Sequence, residues 1–128
     1  MSKNLKLYRK LKATPEEVYR ALTNPLTIEL WSGEPAIMSE EPESEFSLLN
    51  GEITGRNIEF EPEKMLKQQW YFEGEEEESI VTIKLFPEKG GTQIMVLHTG
   101  IPEEAFDNMV EGWKEYYLDA LQDFFEAL

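Results

Sequence analysis

The C-terminal stretch, residues 102–128, is the feature that most limits what this sequence can fold into. Apolar side chains recur there at alternating spacings of three and four: Phe106, Val110, Trp113, Tyr117, Leu121, Phe124 and Leu128. This spacing predicts one amphipathic helix, about 40 Å long at about 1.5 Å per residue. The opposite face is acidic, with only Lys114 opposing Glu103, Asp107, Glu111, Glu115, Asp119, Asp123 and Glu126. Because so aromatic a stripe is unfavourable in water, the rest of the chain must form a trough that receives it.

The N-terminal part predicts a strand and two short helices. Residues 5–12 alternate leucine with charged side chains, which is typical of a strand with one wet face. Residues 14–17, Thr-Pro-Glu-Glu, form a capping box with proline at the first helical position. The Asn24-Pro25 pair must end that helix, and it can start a second one that runs to about Trp31.

The middle of the chain reads as strands separated by turns. The candidate strands are residues 36–39, 45–49, 53–60, 64–72, 79–86 and 92–99. Short connections favour antiparallel neighbours. We therefore expect one α+β domain over residues 1–128. It has a curved antiparallel sheet of about seven strands, two short helices after the first strand, and the long C-terminal helix across the concave face.

Charge and composition exclude several classes of function. The net charge is −14, so nucleic acid and anionic membranes are not expected as partners. The acidic runs are interpreted as solvated loops that keep monomers apart; the alternatives are a basic partner surface or adaptation to high salt. No window is apolar enough for a membrane span, and the first residues do not resemble a signal peptide. The absence of cysteine fits a cytoplasmic protein.

An ordered set of residues resembles a known family. The set is Thr14-Pro15-Glu16-Glu17-Val18-Tyr19, Trp31, Gly51, Gly55, Glu59-Phe60-Glu61-Pro62, Trp70, Gly91-Thr92, Leu97-His98-Thr99-Gly100 and Gly112-Trp113 with Tyr116, Tyr117 and Leu121. Together they resemble the START-like (SRPBCC) helix-grip superfamily, and within it single-domain relatives of the C-terminal domain of the activator of the heat-shock protein 90 ATPase.

The resemblance implies a helix-grip, Bet v-like fold with a hydrophobic cavity between sheet and helix. In the wider superfamily that cavity holds lipids, sterols or polyketides, and in the activator family the domain contacts the chaperone. Many single-domain relatives have no established activity, so the fold does not by itself decide the function.

No residue pattern predicts catalysis. The one histidine, His98, could act as a general base, but the alternative is a packing residue at the end of the last strand, which the resemblance favours. The carboxylates lie mostly in runs or on the wet helix face, away from a desolvating pocket. We expect no enzyme, no metal site and no cofactor. Gly112, inside the predicted helix, suggests that another group packs closely there, most simply the sheet or Trp31.

Strand parity places some polar groups inward. If Trp70 and Phe72 point inward, so does Gln68, which could orient a ligand. Arg9 and Arg56 also fall on inward faces, and we expect them to reach water at strand ends.

The leading hypothesis is a monomeric, non-enzymatic binding domain with an internal cavity for a small apolar ligand. The candidate ligand-binding residues are Trp31, Phe46, Leu48, Phe60, Gln68, Trp70, Ile83, Val96, Met109, Trp113 and Tyr117. A second hypothesis is a co-chaperone-like module that binds a chaperone through its acidic surface. A third is a cyclase- or hydrolase-like enzyme on the same fold, which the lack of an acid–base pair disfavours.

Overall fold

The computed structural model describes all 128 residues, Met1 to Leu128. The first eight elements are β1 Ser2–Leu11, α1 Pro15–Thr23, α2 Pro25–Ser32, β2 Glu45–Leu48, β3 Ile53–Glu61, β4 Met65–Trp70, β5 Ser79–Glu88 and β6 Gly91–Pro102. The C-terminal helix then follows in four parts: a 3₁₀ turn Glu103–Ala105, α3 Phe106–Gly112, a π-helical segment Trp113–Asp119 and α4 Ala120–Ala127. No helix is both long enough and apolar enough to cross a membrane.

The sheet has six strands rather than the expected seven. Its order is β1-β6-β5-β4-β3-β2, and every neighbouring pair is antiparallel. The expected strand at residues 36–39 makes a single bridge, in which Ile37 pairs with Ser47. Met38 then buries its side chain, and the chain turns away through residues 40–43, with Glu43 at a φ of 72°. The α+β class and the curved antiparallel sheet are confirmed.

The helix starts are those that the sequence predicts. The Thr14 hydroxyl accepts from the backbone N–H of Glu17 at 3.2 Å, and the Glu17 carboxylate accepts from the backbone N–H of Thr14 at 2.9 Å. The Asn24 side chain caps α2 by accepting from the N–H of Thr27 at 3.0 Å. These bonds satisfy N–H groups that the first helical turn leaves without partners.

Because of a β-bulge in β3, Arg56 faces outward and not inward as expected. Asn57 pairs with Gln68 and Glu59 pairs with Lys67, so Ile58 has no opposing residue. An extra residue on one strand reverses the alternation of faces beyond it. Arg56 therefore lies on the face away from Phe60, where its Nη1 donates to Glu43 at 2.6 Å.

Arg9 faces inward near the end of β1, and its side chain is 22% exposed, so it reaches water as expected. It pairs in register with Ile94, near the beginning of β6. Its Nη1 donates to the carboxylate of Asp119 at 2.6 Å and to the side-chain oxygen of Gln122 at 2.8 Å. The guanidinium thus joins the edge strand β1 to the C-terminal helix, which explains how its charge is accommodated beside the core.

The C-terminal helix begins at Glu103, directly after Pro102, where the sequence predicts it. β6 extends to Pro102 because the first residues of the chain pair with that end of it, as in Ser2 opposite Pro102. Trp113, Tyr117 and Leu121 of the expected stripe are buried, and beyond them the buried stripe moves by one position. Phe125 is buried, whereas Leu128 is 80% exposed.

The core fills the space between the concave face of the sheet and the helices as one cluster of 25 buried residues. Burial and the nearby Glu40 raise the pKa of Tyr19 to about 12, and its hydroxyl is the one buried side-chain polar atom without a protein partner. The C-terminal helix and the sheet therefore cover each other's apolar surfaces, as the aromatic stripe requires.

Candidate functional site

Four aromatic rings form a continuous column through the core. Trp70 of β4 stacks on Trp113 of the π-helical segment, with ring centroids 4.8 Å apart and planes 16° apart. Trp113 contacts Tyr117 at 4.5 Å, and Tyr117 contacts Trp31 of α2 at 5.0 Å. We call these four residues the aromatic column. It links the sheet, the C-terminal helix and α2, so its geometry depends on all three.

His98 has both ring nitrogens engaged beside this column. The indole N–H of Trp113 donates to Nδ1 at 3.0 Å, and Nε2 lies 2.8 Å from the hydroxyl of Ser79. Because an indole N–H can only donate, Nδ1 must carry the lone pair and Nε2 the proton. The Ser79 hydroxyl accepts from Nε2 and donates its own hydrogen bond to the carbonyl of Thr99 at 3.3 Å. Burial lowers the pKa of His98 to about 4, so the ring is neutral near pH 7.

Gln68 is occupied by protein partners rather than aimed into open space. Its amide nitrogen donates to the side-chain oxygen of Asn57 at 2.9 Å, and its oxygen accepts from the indole of Trp70 at 3.0 Å. Asn57 in turn donates to the Ser44 hydroxyl at 3.1 Å. The inward position expected for Gln68 is therefore found, but its amide orients Trp70 instead of facing a cleft.

A cleft of about 720 Å³ opens beside the aromatic column, between the C-terminal helix and the loops on either side of β2. Its lining residues are Ser32, Glu34, Leu49, Asn50, Glu52, Ile53, Trp70, Asn108, Met109, Glu111, Gly112, Trp113, Tyr116 and Tyr117. The space is thus a groove at one end of the trough and opens to solvent. Burial raises the pKa of Tyr117 above its usual value, so its ring presents a neutral phenol.

The cleft brings together four of the eleven candidate ligand-binding residues: Trp70, Met109, Trp113 and Tyr117. The other seven do not line it: Trp31, Phe46, Leu48, Phe60, Gln68, Ile83 and Val96. Most of these seven are fully buried in contact with other core residues, because the centre of the trough is packed by side chains. The open space lies beside the first half and the middle of the C-terminal helix, from Asn108 to Tyr117.

Sequence reasoning missed the loop side of the cleft and misread Gly112. The residues after α2 and in the turn after β2 line the cleft, and no sequence spacing links them to the helix. A Cβ added to Gly112 would meet nothing within 4 Å, so the expected close packing by the sheet or Trp31 is wrong. The missing side chain instead leaves open volume on the cleft wall.

The groups that could carry chemistry are distributed as follows. No three His, Cys, Asp or Glu side chains lie close enough together to hold a metal ion. The one histidine donates and accepts within the core and does not line the cleft. What the cleft presents is aromatic and apolar surface at its base, with amide and carboxylate groups around it.

An antiparallel sheet that receives a C-terminal helix on its concave face defines a helix-grip protein of the START-like class. Residues 12–126 match the family model of the Activator of Hsp90 ATPase homolog 1-like proteins, and the chain belongs to that family. The resemblance drawn from the sequence motifs is therefore confirmed.

Individual relatives agree with this assignment. The chain is 29% identical, over 114 residues, to the activator of 90 kDa heat shock protein ATPase homolog 1 of Mus musculus; the match covers 88% of this chain and 34% of that protein. The chain thus spans about a third of the length of the curated relatives it matches. An HSP90 activator from Plasmodium falciparum has the same fold, with a TM-score of 0.86 at 21% identity over 94% of both chains. So does the Aha1 dimer from Colwellia psychrerythraea, with a TM-score of 0.83 at 20% identity over 97% of this chain and 96% of that one.

Proposed function

We propose that this protein is a non-enzymatic binding module that takes the apolar part of a small molecule into the cleft beside the aromatic column. One observation carries the proposal: about 720 Å³ of open space lies beside the nearly buried column and is walled by the exposed Tyr116 and the partly buried Met109. Volumes of this size and aromatic linings are typical of sites for small molecules.

Gly112 allows a sharp test with N-phenyl-1-naphthylamine, a neutral apolar probe whose fluorescence rises in apolar surroundings. In a Gly112→Leu variant, the new side chain would project into the open volume of the cleft. We expect the probe to bind the unmodified protein and to lose most of that binding in the variant. Asp123→Leu is the matched control, because it adds the same side chain on the exposed face of α4, outside the cleft.

The proposal is wrong if the probe fails to bind the unmodified protein, or if both variants bind it equally well. If the probe binds as expected, mass spectrometry of small molecules that co-purify with the native protein identifies the natural ligand. The same mass spectrometry on the Gly112→Leu variant is the control: molecules bound in the cleft should be lost, and molecules bound elsewhere on the surface should remain.

A second candidate function is binding to a chaperone. The curated relatives of this chain are named as activators of the 90 kDa heat-shock protein ATPase, which favours a partner of that kind here. The acidic face of the C-terminal helix is the surface that we assign to it. Pull-down with the organism's own Hsp90 homologue at low salt tests this function. A Glu115→Lys, Asp123→Lys variant should lose the complex, Gly112→Leu should keep it, and the absence of any complex contradicts it.

The expectations of a monomer and of a cytoplasmic location stay predictions. The Colwellia relative is a dimer. Light scattering coupled to size-exclusion chromatography would decide the oligomeric state for this chain.

A further inference from the structure

The charges around the cleft all have the same sign. Its lining holds three carboxylates, Glu34, Glu52 and Glu111, and none of the chain's lysines or arginines. They come from three separate places: the loop after α2, the turn between β2 and β3, and α3. All three side chains are exposed, and none forms an ion pair with a basic residue.

The base of the same cleft is aromatic. Trp70, Trp113 and Tyr117 line its inner end but are only 4%, 2% and 4% exposed, so most of their ring surface is covered by other side chains. Tyr116 stands in the wall and is 60% exposed, so part of its ring is free to contact a ligand. The faces of such rings attract cations, most strongly where water is excluded.

We propose that the cleft selects organic cations: molecules with an apolar or aromatic body and one positively charged centre. This inference rests on the proposed function and adds the class of ligand. The body would lie against Met109 and the aromatic rings, and the charge would lie among the three carboxylates. An anion of the same shape meets only repulsion there, and a neutral molecule gains nothing from the carboxylates.

The net charge of −14 attracts any cation to any part of the surface, so the test must separate the cleft from this general field. Three probes serve: tetraphenylphosphonium (cation) and tetraphenylborate (anion), which share one shape, and triphenylphosphine oxide (neutral), which has one phenyl ring fewer. Affinities are measured by isothermal titration calorimetry. The indole N–H resonances of Trp70 and Trp113 show by NMR whether each probe reaches the cleft. We expect tetraphenylphosphonium to bind about tenfold more tightly than the oxide, and tetraphenylborate to bind least.

Two variants with the same change in net charge locate the effect. Glu34→Gln, Glu52→Gln, Glu111→Gln removes the cleft carboxylates, and Glu115→Gln, Asp123→Asn, Glu126→Gln removes three carboxylates elsewhere on the helix. We expect the first to weaken the phosphonium by about tenfold and to leave the oxide unchanged. The second should change the affinity for either probe by less than about twofold.

The outcomes distinguish this inference from the function on which it rests. If the oxide binds as well as the phosphonium, or if both variants weaken the phosphonium equally, the selection of cations is wrong and the apolar binding site stands. If no probe binds or shifts the Trp70 and Trp113 indole resonances, both the site and its charge preference are wrong.

Discussion

His98 shows how much a single buried group can determine in this fold. Its ring lies edge-on to Trp70, with centroids 5.1 Å apart, while its nitrogens hold Trp113 of the helix and Ser79 of β5. The Trp113 bond exists only while Nδ1 is unprotonated. Protonation of Nδ1 would place its new hydrogen against the indole N–H of Trp113, and it would place a positive charge among aromatic side chains. The ring is therefore a packing element whose protonation state the core fixes.

The first prediction concerns acid stability. His98 has a pKa of about 4 in the fold and 6.5 in the unfolded chain, so the unfolded state binds the proton first. Its contribution to stability is complete above pH 6.5 and is lost as the pH falls from 6.5 through about 4. Over this window the protein should lose about 3 kcal/mol of unfolding free energy relative to a His98→Gln variant. Urea unfolding of both proteins at a series of pH values measures the difference.

The variant is needed because many carboxylates titrate in the same range and reduce the negative charge as they do so. Subtracting the two curves removes their shared effect. Parallel curves would show that His98 does not change its protonation between the folded and unfolded states. NMR of the single imidazole should independently report a proton on Nε2 at pH 7.

The second prediction concerns two glycines, Gly112 and Gly55, whose surroundings differ in the structure. Gly112→Ala adds a methyl group to open space within a helix, so it should stabilise the protein by about 1 kcal/mol. Gly55→Ala places a methyl group against the Gln69 carbonyl and 2.8 Å from the Phe46 ring, so it should be strongly destabilising. Thermal unfolding of the two variants measures both effects. A loss of stability in Gly112→Ala would mean that the cleft wall is closer than the structure shows.

At the scale of elements, the π-helical segment widens one turn of the C-terminal helix. The buried positions Trp113, Tyr117, Leu118, Leu121 and Phe125 spread over about 140° of an ideal α-helix, and over about 100° if one residue between the first two is left out. A segment of this kind is an α-helix with one inserted residue, and such segments are frequent at functional sites. Here it sets Tyr116 and Tyr117 together on the cleft.

The third prediction follows from this register. Deletion of Glu115, an exposed residue in the wide turn, should leave a continuous α-helix with the same buried stripe, and the protein should remain folded. Deletion of Asp123 in α4 is the control, because it rotates Phe125 out of the core and should cost about 2 kcal/mol or more. Denaturant unfolding measures both. If the Glu115 deletion destabilises as much as the Asp123 deletion, the segment is needed for folding as well as for the shape of the cleft.

The same elements show what the sequence could and could not predict. The capping box at residues 14–17 and most of the strands were predicted, because their signals lie within a few neighbouring residues. The unpaired Ile58 and the wide helical turn were not, since an inserted residue leaves no local mark and shifts everything beyond it. The strand parity of Trp70 and the helical spacing of Trp113 predicted the aromatic part of the site. Glu34 and Glu52 reach it only through tertiary placement of loops, which no spacing encodes.

At the scale of the whole molecule, the outer face of the sheet carries charges of both signs, with Glu45 and Glu59 beside its lysines, whereas the exposed face of the C-terminal helix is acidic. Lys6, Lys10, Lys67 and Lys84 lie on the outer face of the sheet, on strands β1, β4 and β5. The exposed face of the C-terminal helix is acidic, and Arg9 neutralises only Asp119 there. Carboxylates follow one another at intervals of four along this face, so each repels the next. Burial of the core therefore stabilises the fold, whereas repulsion between surface carboxylates destabilises it.

The last prediction tests that opposition. Raising sodium chloride from about 0.02 to about 0.5 M shortens the screening length from tens of ångströms to a few, and it should raise the unfolding temperature. Asp123→Lys should stabilise the protein by about 0.5 kcal/mol at low salt, because it replaces repulsion from Asp119 and Glu126 by attraction and places a cation near the helix C-terminus. Lys10→Asp, on the outer face of the sheet, is the opposite change and should destabilise. Both effects should shrink in high salt. If the unfolding temperature falls with salt, or if the two variants move together, local ion pairs outweigh the net charge of −14, and the acidic helix face does not oppose folding.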